Sequence, residues 1–188
     1  TFSFLTIGNL NPLKNHKLLL NSISQLKFKI KLSIAGEKLS SHKNYYFDII
    51  NYKETIEKNS NSLILLLGKL NKKKIKENLS ISDFFIMTSK SEGTPFALLE
   101  AMSCHKICII PNINTLRNIF KNNQNGFYFK DNNVKSLNAV ITKVLNLNIK
   151  NKLKIAAKAR NLISKKFSHE IFKKNISKHF LEKNSLLT

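Results

Sequence analysis

One segment, residues 91–102, combines residue types that a phosphate-binding site needs. Thr94 can cap a helix, and Pro95 suits the first helical position, where its missing N–H costs nothing. Gly93 allows a ligand to approach the backbone closely. A helix that begins here directs free N–H groups and the positive end of its dipole at an anion. The segment therefore predicts a binding site for a phosphate group at the start of this helix.

Two carboxylates flank this helix start. Glu92 comes just before it, and Glu100 lies roughly 9 Å along the axis at a rise of about 1.5 Å per residue. A ligand with polar groups on both sides of a diphosphate matches this spacing. An ordinary amphipathic helix is also consistent with the pattern, because apolar residues recur at helical spacing, at Pro95, Leu98, Leu99 and Met102. On these residues alone, both interpretations stay open.

A parallel sheet must position these residues, because short apolar runs alternate with stretches of helical period. The sequence predicts strands at Phe2–Ile7, Leu32–Ala35, Leu63–Leu67, Asp83–Thr88, Ile107–Ile110 and Phe127–Phe129. It predicts helices after Pro12 and at His42–Glu57, Lys72–Leu79, Pro95 to about Cys104, Leu116–Phe120, Val134–Leu145, Lys150–Lys166 and Glu170 to about Glu182. Strands this apolar are covered on both faces. We therefore expect an α/β fold, a Rossmann-like, doubly wound parallel sheet of about six strands.

In such a sheet, ligands bind outside the carboxyl ends of the strands. Three loops at that edge carry suggestive residues, at 8–17, 36–41 and 89–94. The dinucleotide pattern G-x-G-x-x-G and the P-loop pattern are both absent, so neither class has its main support. There is no H-E-x-x-H, and the five His residues lack metal-ligand spacing. We expect neither a metal nor a cofactor.

The net charge of +21 is compatible with binding to nucleic acid, which basic domains attract. However, only two of the 32 basic residues are Arg, at positions 117 and 160, and Asn occurs 25 times. An AT-biased genome would impose such a composition, rich in Lys and Asn and poor in Arg, on any protein. Base readout favours Arg and aromatic platforms, which are concentrated nowhere here. We interpret most of the charge as solvated surface and expect no nucleic-acid partner. A domain that binds nucleic acid or another polyanion stays open as an alternative function, and contact with an anionic membrane surface is compatible with this charge.

The chain of 188 residues suits one domain of ordinary size. It contains no apolar run of the roughly 18 residues that a membrane span needs. Two Cys residues fit a reducing compartment, so we expect a cytoplasmic location. Because the chain begins at Thr1 rather than Met, we expect a piece of a longer protein.

Several motifs in order resemble the nucleotide-binding C-terminal domain of family-4 (group 1) glycosyltransferases of the GT-B fold. Residues 91–102, S-E-G-T-P-F-A-L-L-E-A-M, resemble the E-x7-E signature of that family. Residues 7–16 resemble its first strand and phosphate-contacting loop, and residues 33–37 its I-A-G-x-G strand end. Residues 81–89 resemble its A-D-x-x-x-x-P-S strand, and Asn125-Gly126-Phe127 its N-G turn. The combination covers nearly the whole chain.

The resemblance implies a retaining, metal-independent enzyme that takes its sugar from a UDP-sugar or GDP-sugar. Lys14 would neutralise the donor diphosphate, Glu100 would bind the ribose, and Glu92 would be the catalytic residue at the transferred sugar. The implied donor-binding residues are Gly8, Asn9, Lys14, Gly93, Thr94, Pro95, Phe96 and Glu100. The loop at residues 68–70 would lie by the nucleobase. A positioned cation and a helix dipole can stabilise a leaving diphosphate without a metal.

The resemblance also implies a domain organisation and partners. Residues 1–166 would form the donor-binding domain, and residues 167–188 a helix that packs back toward a missing N-terminal acceptor domain, without which the fragment would be inactive. The acceptor would be a glycan or a lipid-linked molecule, as in polysaccharide biosynthesis. The enzyme would work in the cytoplasm, either free or as a peripheral protein on the cytoplasmic face of the membrane.

This sequence departs from the family at three sites, one of which is Lys38, after Glu37, in place of the last Gly of the strand-end motif. Asn9 stands where the family commonly has Arg, so Lys14 remains with Lys17 as a second candidate cation. A catalytically silent relative that still binds nucleotide is therefore the alternative. His105 stands where the family often has Gly, and His tolerates a left-handed cap better than most residues.

The remaining chemically active residues have structural interpretations. Cys104 and Cys108 are expected to be small buried hydrophobes, and His16 a residue at a helix start rather than a catalyst. Residues 72–74 are expected to be a solvated helix start, and residues 127–129 part of the core.

Overall fold

A computed structural model of the chain describes residues 1–117, 119 and 121–167. Within them, one sheet of parallel strands is covered by helices, which confirms the predicted Rossmann-like, doubly wound fold. The strands are β1 (Phe2–Ile7), β2 (Ile30–Ala35), β3 (Leu63–Gly68), β4 (Phe84–Ile86), β5 (Ile107–Pro111) and β6 (Phe127–Phe129). The helices are α1 (His16–Ser24), α2 (Lys43–Asn59), α3 (Lys72–Ile81), α4 (Phe96–Ser103), α5 (Val134–Leu145) and α6 (Ile149–Lys166). None of these helices is long and apolar enough to cross a lipid bilayer.

The strand order is β3-β2-β1-β4-β5-β6, so the first strand lies in the middle of the sheet. Phe4 pairs with Leu32 of β2 on one side and with Phe84 of β4 on the other. The connections after β1 and β4 therefore lead away from each other. Such a switch point leaves a crevice between the two loops at the carboxyl ends of the strands.

Alternating side chains on the central strands build a core on each face of the sheet. Phe4, Phe84 and Ile109 pack on one face with buried residues of α1, α2 and α5. Leu5 and Phe85 point to the other face, toward α3, α4 and α6. This double burial explains why the strands are apolar along their whole length.

The first helix begins after Pro12 as predicted, but a separate turn comes between them. Residues Pro12–Lys14 form a single 3₁₀ turn, and α1 begins only at His16. The Asn11 side chain accepts hydrogen bonds from the N–H groups of Leu13 and Lys14, and Asn15 adopts a left-handed φ of 51°. A left-handed residue interrupts a right-handed helix. Lys14 is consequently held on a capped turn at the sheet edge.

Of the predicted short helix at Leu116–Phe120, the described residues 116, 117 and 119 form turns rather than a helix. Leu116 is fully buried, and its carbonyl accepts a hydrogen bond of 2.6 Å from the Tyr128 hydroxyl. Because Leu116 is a buried apolar residue within a turn, the apolar spacing of this segment resembles that of a short helix. The predicted helix from Glu170 to about Glu182 lies outside the described residues, as does the predicted C-terminal segment 167–188 apart from Phe167.

The end of α4 confirms the prediction for His105. This residue follows the helix with φ of 57°, in the left-handed region, and its side chain is exposed. Because Gly has no Cβ, it adopts this conformation without the strain of roughly 1 kcal/mol that other residues carry.

We expect His105→Gly to raise the free energy of unfolding by about 0.5–1 kcal/mol, since relief of strain outweighs the added freedom of the unfolded chain. Denaturant unfolding measures this change. His105→Ala is the matched control, because Ala keeps the strain and should give no gain. Equal effects of the two substitutions would contradict the explanation.

His16, at the start of α1, is almost completely buried, with only 1% of its surface exposed to solvent. Burial, and to a lesser degree the nearby positive charge of Lys14, lowers the pKa of His16 to about 4. In the unfolded chain the pKa is near 6.5, so the unfolded state binds more protons between these values. His16 therefore favours folding fully above pH 6.5, and this contribution is lost as the pH falls toward 4.

We expect the loss to be roughly 3 kcal/mol between pH 7 and 4, taking about 1.4 kcal/mol for each pKa unit. The measurement compares denaturant unfolding of the wild type and of His16→Leu, whose stability should fall less over that range. Parallel curves for wild type and His16→Leu would contradict the prediction.

Candidate functional site

A cleft of about 350 Å³ lies at the carboxyl ends of β1 and β4, at the switch point of the sheet. We call it the β1–β4 cleft; its lining residues are Ile7, Gly8, Asn9, Lys14, Met87, Glu92, Thr94, Pro95, Phe96, Ala97 and Glu100. All of the predicted site residues are in this set except Gly93, which follows Glu92 in the chain. As predicted, Glu92 lies in the loop after β4 and Glu100 on the helix that follows. The structure thus brings the predicted residues together.

The loop after β1 is tied to the loop after β4. The Thr88 hydroxyl lies 3.0 Å from the carbonyl oxygen of Lys14 and 3.1 Å from that of Asn15. The N–H of Lys90 donates to the carbonyl of Leu13 at 2.8 Å. These bonds fix the backbone of Lys14 against β4, which directs its side chain into the cleft.

Lys14 and Glu92 form an ion pair inside the cleft. The distance between Lys14 Nζ and Glu92 Oε1 is 2.6 Å, and the Glu92 side chain is only 8% exposed. Sequence reasoning missed this contact, because the implied roles assign the two residues to different parts of the donor. A pair this sheltered is screened less by solvent and salt than a surface pair.

Asn9 has a structural role at the edge of the cleft. Its side-chain oxygen accepts a hydrogen bond of 3.0 Å from the N–H of Glu37, in the loop after β2. The next residue, Leu10, donates its N–H to the carbonyl of Glu37 at 2.9 Å. Asn9 thus joins two loops, and Lys14 is the one cation among the described residues that line the cleft.

Lys17, the second candidate cation, points elsewhere. Its ammonium group pairs with Asp48 on α2, and Lys17 does not line the cleft. Because α1 begins at His16, Lys17 lies on the helix rather than in the loop that faces the cleft. The expectation that Lys17 supplies a second charge is not supported.

The start of α4 differs from the prediction by one residue. Thr94 does not cap the helix and Pro95 is not its first residue; Pro95 itself occupies the cap position with ψ of 64°, outside the helical range. This turn lets the Phe96 N–H donate to the Thr94 carbonyl at 2.9 Å. In the described part of the chain, the N–H of Ala97 has no backbone acceptor. The helix start therefore presents the Ala97 N–H in the cleft, rather than that of Phe96.

The other chemically active residues have structural environments. Cys108 is fully buried, which raises the pKa of its thiol, and Cys104 is partly buried. His16 lies outside the cleft, and its Nδ1 has no hydrogen-bond partner within the described residues. Phe127 and Phe129 are core residues, and Lys72–Lys74 are exposed. No group of three His, Cys, Asp or Glu side chains that could hold a metal ion occurs in the described ranges.

The comparisons of this chain with known proteins agree with one another on a single family. The sequence model of "Glycosyl transferases group 1" matches residues 2–162. A UDP-Gal:alpha-D-GlcNAc-diphosphoundecaprenol alpha-1,3-galactosyltransferase of Escherichia coli is 37% identical over 107 residues, which are 54% of this chain and 27% of that protein. The capsular polysaccharide biosynthesis glycosyltransferase CapH of Staphylococcus aureus is 30% identical over 133 residues, 69% of this chain and 34% of that protein. The chain thus spans about a third of the length of these relatives.

Solved structures share the fold at low sequence identity. The Anabaena protein HepE in complex with UDP and glucose superposes with a TM-score of 0.86 at 17% identity, covering 97% of this chain and 48% of that one. The C-terminal domain of the group 1 family protein LpcC from Francisella tularensis gives a TM-score of 0.78 at 16% identity, covering 89% and 87%. The similarity therefore extends over one half of a longer protein or over a separate C-terminal domain.

Proposed function

Since this chain belongs to the group 1 glycosyltransferases, we propose that it is the donor-binding domain of an enzyme that transfers a sugar from a UDP-sugar or GDP-sugar to a glycan or lipid-linked acceptor. The observation that carries the proposal is that a cation, a helix start and two glutamates meet in one cleft at the switch point of the sheet. The superposition on HepE with UDP and glucose supports a fold suited to this ligand class.

The β1–β4 cleft can meet the charge of a leaving diphosphate from two directions. Lys14 provides a full positive charge on a fixed turn, and the start of α4 provides the Ala97 N–H and the helix dipole. Charge that develops on the leaving group during transfer is stabilised by groups already in place. In this proposal the reaction is retaining and needs no metal ion or other cofactor.

Two carboxylates then orient the rest of the donor. Glu100, half-buried on α4, would accept hydrogen bonds from the ribose hydroxyls, and Glu92 would contact the transferred sugar near its reacting carbon. The acceptor would be held mainly by an N-terminal half of the complete enzyme, which turnover would also require, so the chain alone would bind donor without transferring sugar. The charge of +21 supports a peripheral position on an anionic, cytoplasmic membrane face.

Titration calorimetry of the chain with UDP and GDP tests the proposal. We expect one of the two to bind at one site with a Kd between micromolar and millimolar, and Glu100→Gln to weaken binding by about tenfold through loss of a charge-assisted hydrogen bond. Glu77→Gln is the matched control, because Glu77 is exposed on α3 outside the cleft. Absence of binding by both nucleotides, or equal effects of the two substitutions, would refute the assigned site.

A catalytically silent relative is the alternative, since Asn9 brings no second cation to the cleft. A sugar-transfer assay on a complete protein that contains this chain separates the two. Nucleotide binding without transfer would favour the silent relative.

A further inference from the structure

A second cleft of about 420 Å³ lies farther along the same sheet edge, formed by the loops after β4, β5 and β6. We call it the β5 cleft. Its lining includes Lys90, Ser91, Asn112, Thr115, Arg117 and Asp131. It shares no lining residue with the β1–β4 cleft, yet Ser91 directly precedes Glu92 in the chain. The two clefts are therefore neighbours separated by the loop after β4.

The β5 cleft contains two cations and one carboxylate. Neither Lys90 nor Arg117 forms an ion pair within the described residues, although Asp131 is also part of the lining. Arg117 is one of only two Arg residues among 32 basic residues. A guanidinium group binds phosphate in a planar, two-pronged geometry that Lys cannot reproduce. The charge and donor geometry of the cleft thus suit a phosphate group.

Arg117 is held on a fixed turn. Its Nε donates to the side-chain oxygen of Asn112 at 2.9 Å, which orients the guanidinium plane, and no described residue accepts a hydrogen bond from its terminal nitrogens. Its backbone N–H donates to the Ile113 carbonyl at 3.1 Å, and the adjacent Leu116 carbonyl is bound by the Tyr128 hydroxyl. A preorganised cation loses little freedom when an anion binds.

The order of the loops indicates which anion this is. In the proposed function, the donor diphosphate lies at Lys14 after β1, and the transferred sugar at Glu92 after β4. The next strand in the sheet is β5, so the β5 cleft continues the same line beyond the sugar. An acceptor that attacks the sugar must approach from a side that the diphosphate does not occupy.

We propose that the β5 cleft is an anion subsite, in which Lys90 and Arg117 bind a phosphate group of the acceptor. Its role in transfer rests on the proposed function, whereas phosphate binding at this place does not. The phosphate could belong to a soluble sugar phosphate or to a prenyl diphosphate, and both present the same chemistry to the two cations.

The test is NMR titration of the chain with glucose 1-phosphate, with geranyl diphosphate and with neutral methyl glucoside, each with and without saturating UDP or GDP. We expect both phosphate probes to shift the amide signals of residues 90–91 and 112–117 with millimolar Kd, and the neutral glycoside to leave them unchanged. The probe with the lower Kd identifies the source of the phosphate. Arg117→Gln and Lys90→Gln should each weaken binding at least about fivefold.

Two control variants make the result specific. Lys58→Gln removes one exposed charge at the end of α2 and should not alter phosphate binding. Lys14→Gln removes the cation of the β1–β4 cleft and should leave the shifts at residues 112–117 intact. Shifts that disappear in Lys14→Gln but persist in Arg117→Gln would place the phosphate in the first cleft and overturn the proposal.

The proposal is also overturned if neither phosphate probe shifts these amides at concentrations up to about 20 mM, or if the two cation variants bind like the wild type. Failure of the proposed function has a different signature, namely that UDP and GDP do not bind the wild type at all. The samples without nucleotide report on the β5 cleft even in that case.

Discussion

Replacing Lys14 by Gln should weaken binding of a nucleoside diphosphate by at least about tenfold, because a charge-assisted contact to a phosphate contributes on the order of 1.5–3 kcal/mol. The same substitution should lower the free energy of unfolding by about 1–3 kcal/mol, since it leaves the buried Glu92 carboxylate without its partner. Calorimetry and denaturant unfolding measure the two effects. Lys17→Gln is the matched control, because that ammonium group pairs with Asp48 outside the cleft.

Glu92→Gln should act in the opposite direction on nucleotide binding. The Glu92 carboxylate lies 2.6 Å from Lys14 Nζ, where it would compete with the diphosphate of the proposed donor and repel it. We expect the neutral side chain to tighten binding of the nucleoside diphosphate by about three- to tenfold, and to reduce sugar transfer by the complete protein. Its role as a sugar contact alone would predict unchanged nucleotide binding. If Glu92→Gln weakened nucleotide binding instead, the prediction would be wrong. Such a result would indicate that the ion pair with Glu92 holds the Lys14 side chain in position to bind the diphosphate.

Gly36→Ala should destabilise the domain by about 3 kcal/mol, among the larger effects of a single methyl group. A Cβ at Gly36 would lie 1.9 Å from the carbonyl oxygen of Gly8 and 2.5 Å from its carbonyl carbon, and both of these Gly8 atoms belong to the backbone. The loop after β1 would have to move away from the loop after β2, and it carries Asn9 and Lys14. We therefore expect weaker nucleotide binding as well as lower stability.

Gly93→Ala provides the control for stability. A Cβ at Gly93 meets no atom within 4 Å, and the residue lacks a positive φ. Its free energy of unfolding should stay within about 0.5 kcal/mol of the wild type. Denaturant unfolding of the two variants at neutral pH makes the comparison, and equal stability of Gly36→Ala and Gly93→Ala would show that the close approach to Gly8 is not a constraint.

Most of the fold could be predicted because the strands are continuous apolar runs. The predicted ranges of β1, β6 and α5 agree with the structure at both ends. The prediction for β2 began two residues late, since Lys31 interrupts the apolar run although it pairs with Ser3 and Leu63. Polar residues in a ladder give no apolar signal, so such boundaries depend on tertiary pairing.

The composition of the candidate site followed from the motifs, but its internal contacts did not. Lys14 and Glu92 are 78 positions apart, and nothing in the two segments indicates that their side chains meet. The hydrogen bond from the Glu37 N–H to the Asn9 side chain could not be predicted from the sequence either, because it depends on how closely the loops after β1 and β2 approach each other. The capped turn before α1 is a local feature, and Asn11 and Asn15 could have indicated it.

The central place of β1 has a consequence for synthesis on the ribosome. When residues up to Gly68 have emerged, β1, β2 and β3 can already pair, but the other edge of β1 stays open until Phe84–Ile86 of β4 arrive. An open central edge is a template for wrong pairing with another nascent chain. The β1–β4 cleft is built across the same edge, so a ligand of this cleft would have no complete site on the first half of the domain. Translation speed between β3 and β4 therefore governs how long this edge is exposed.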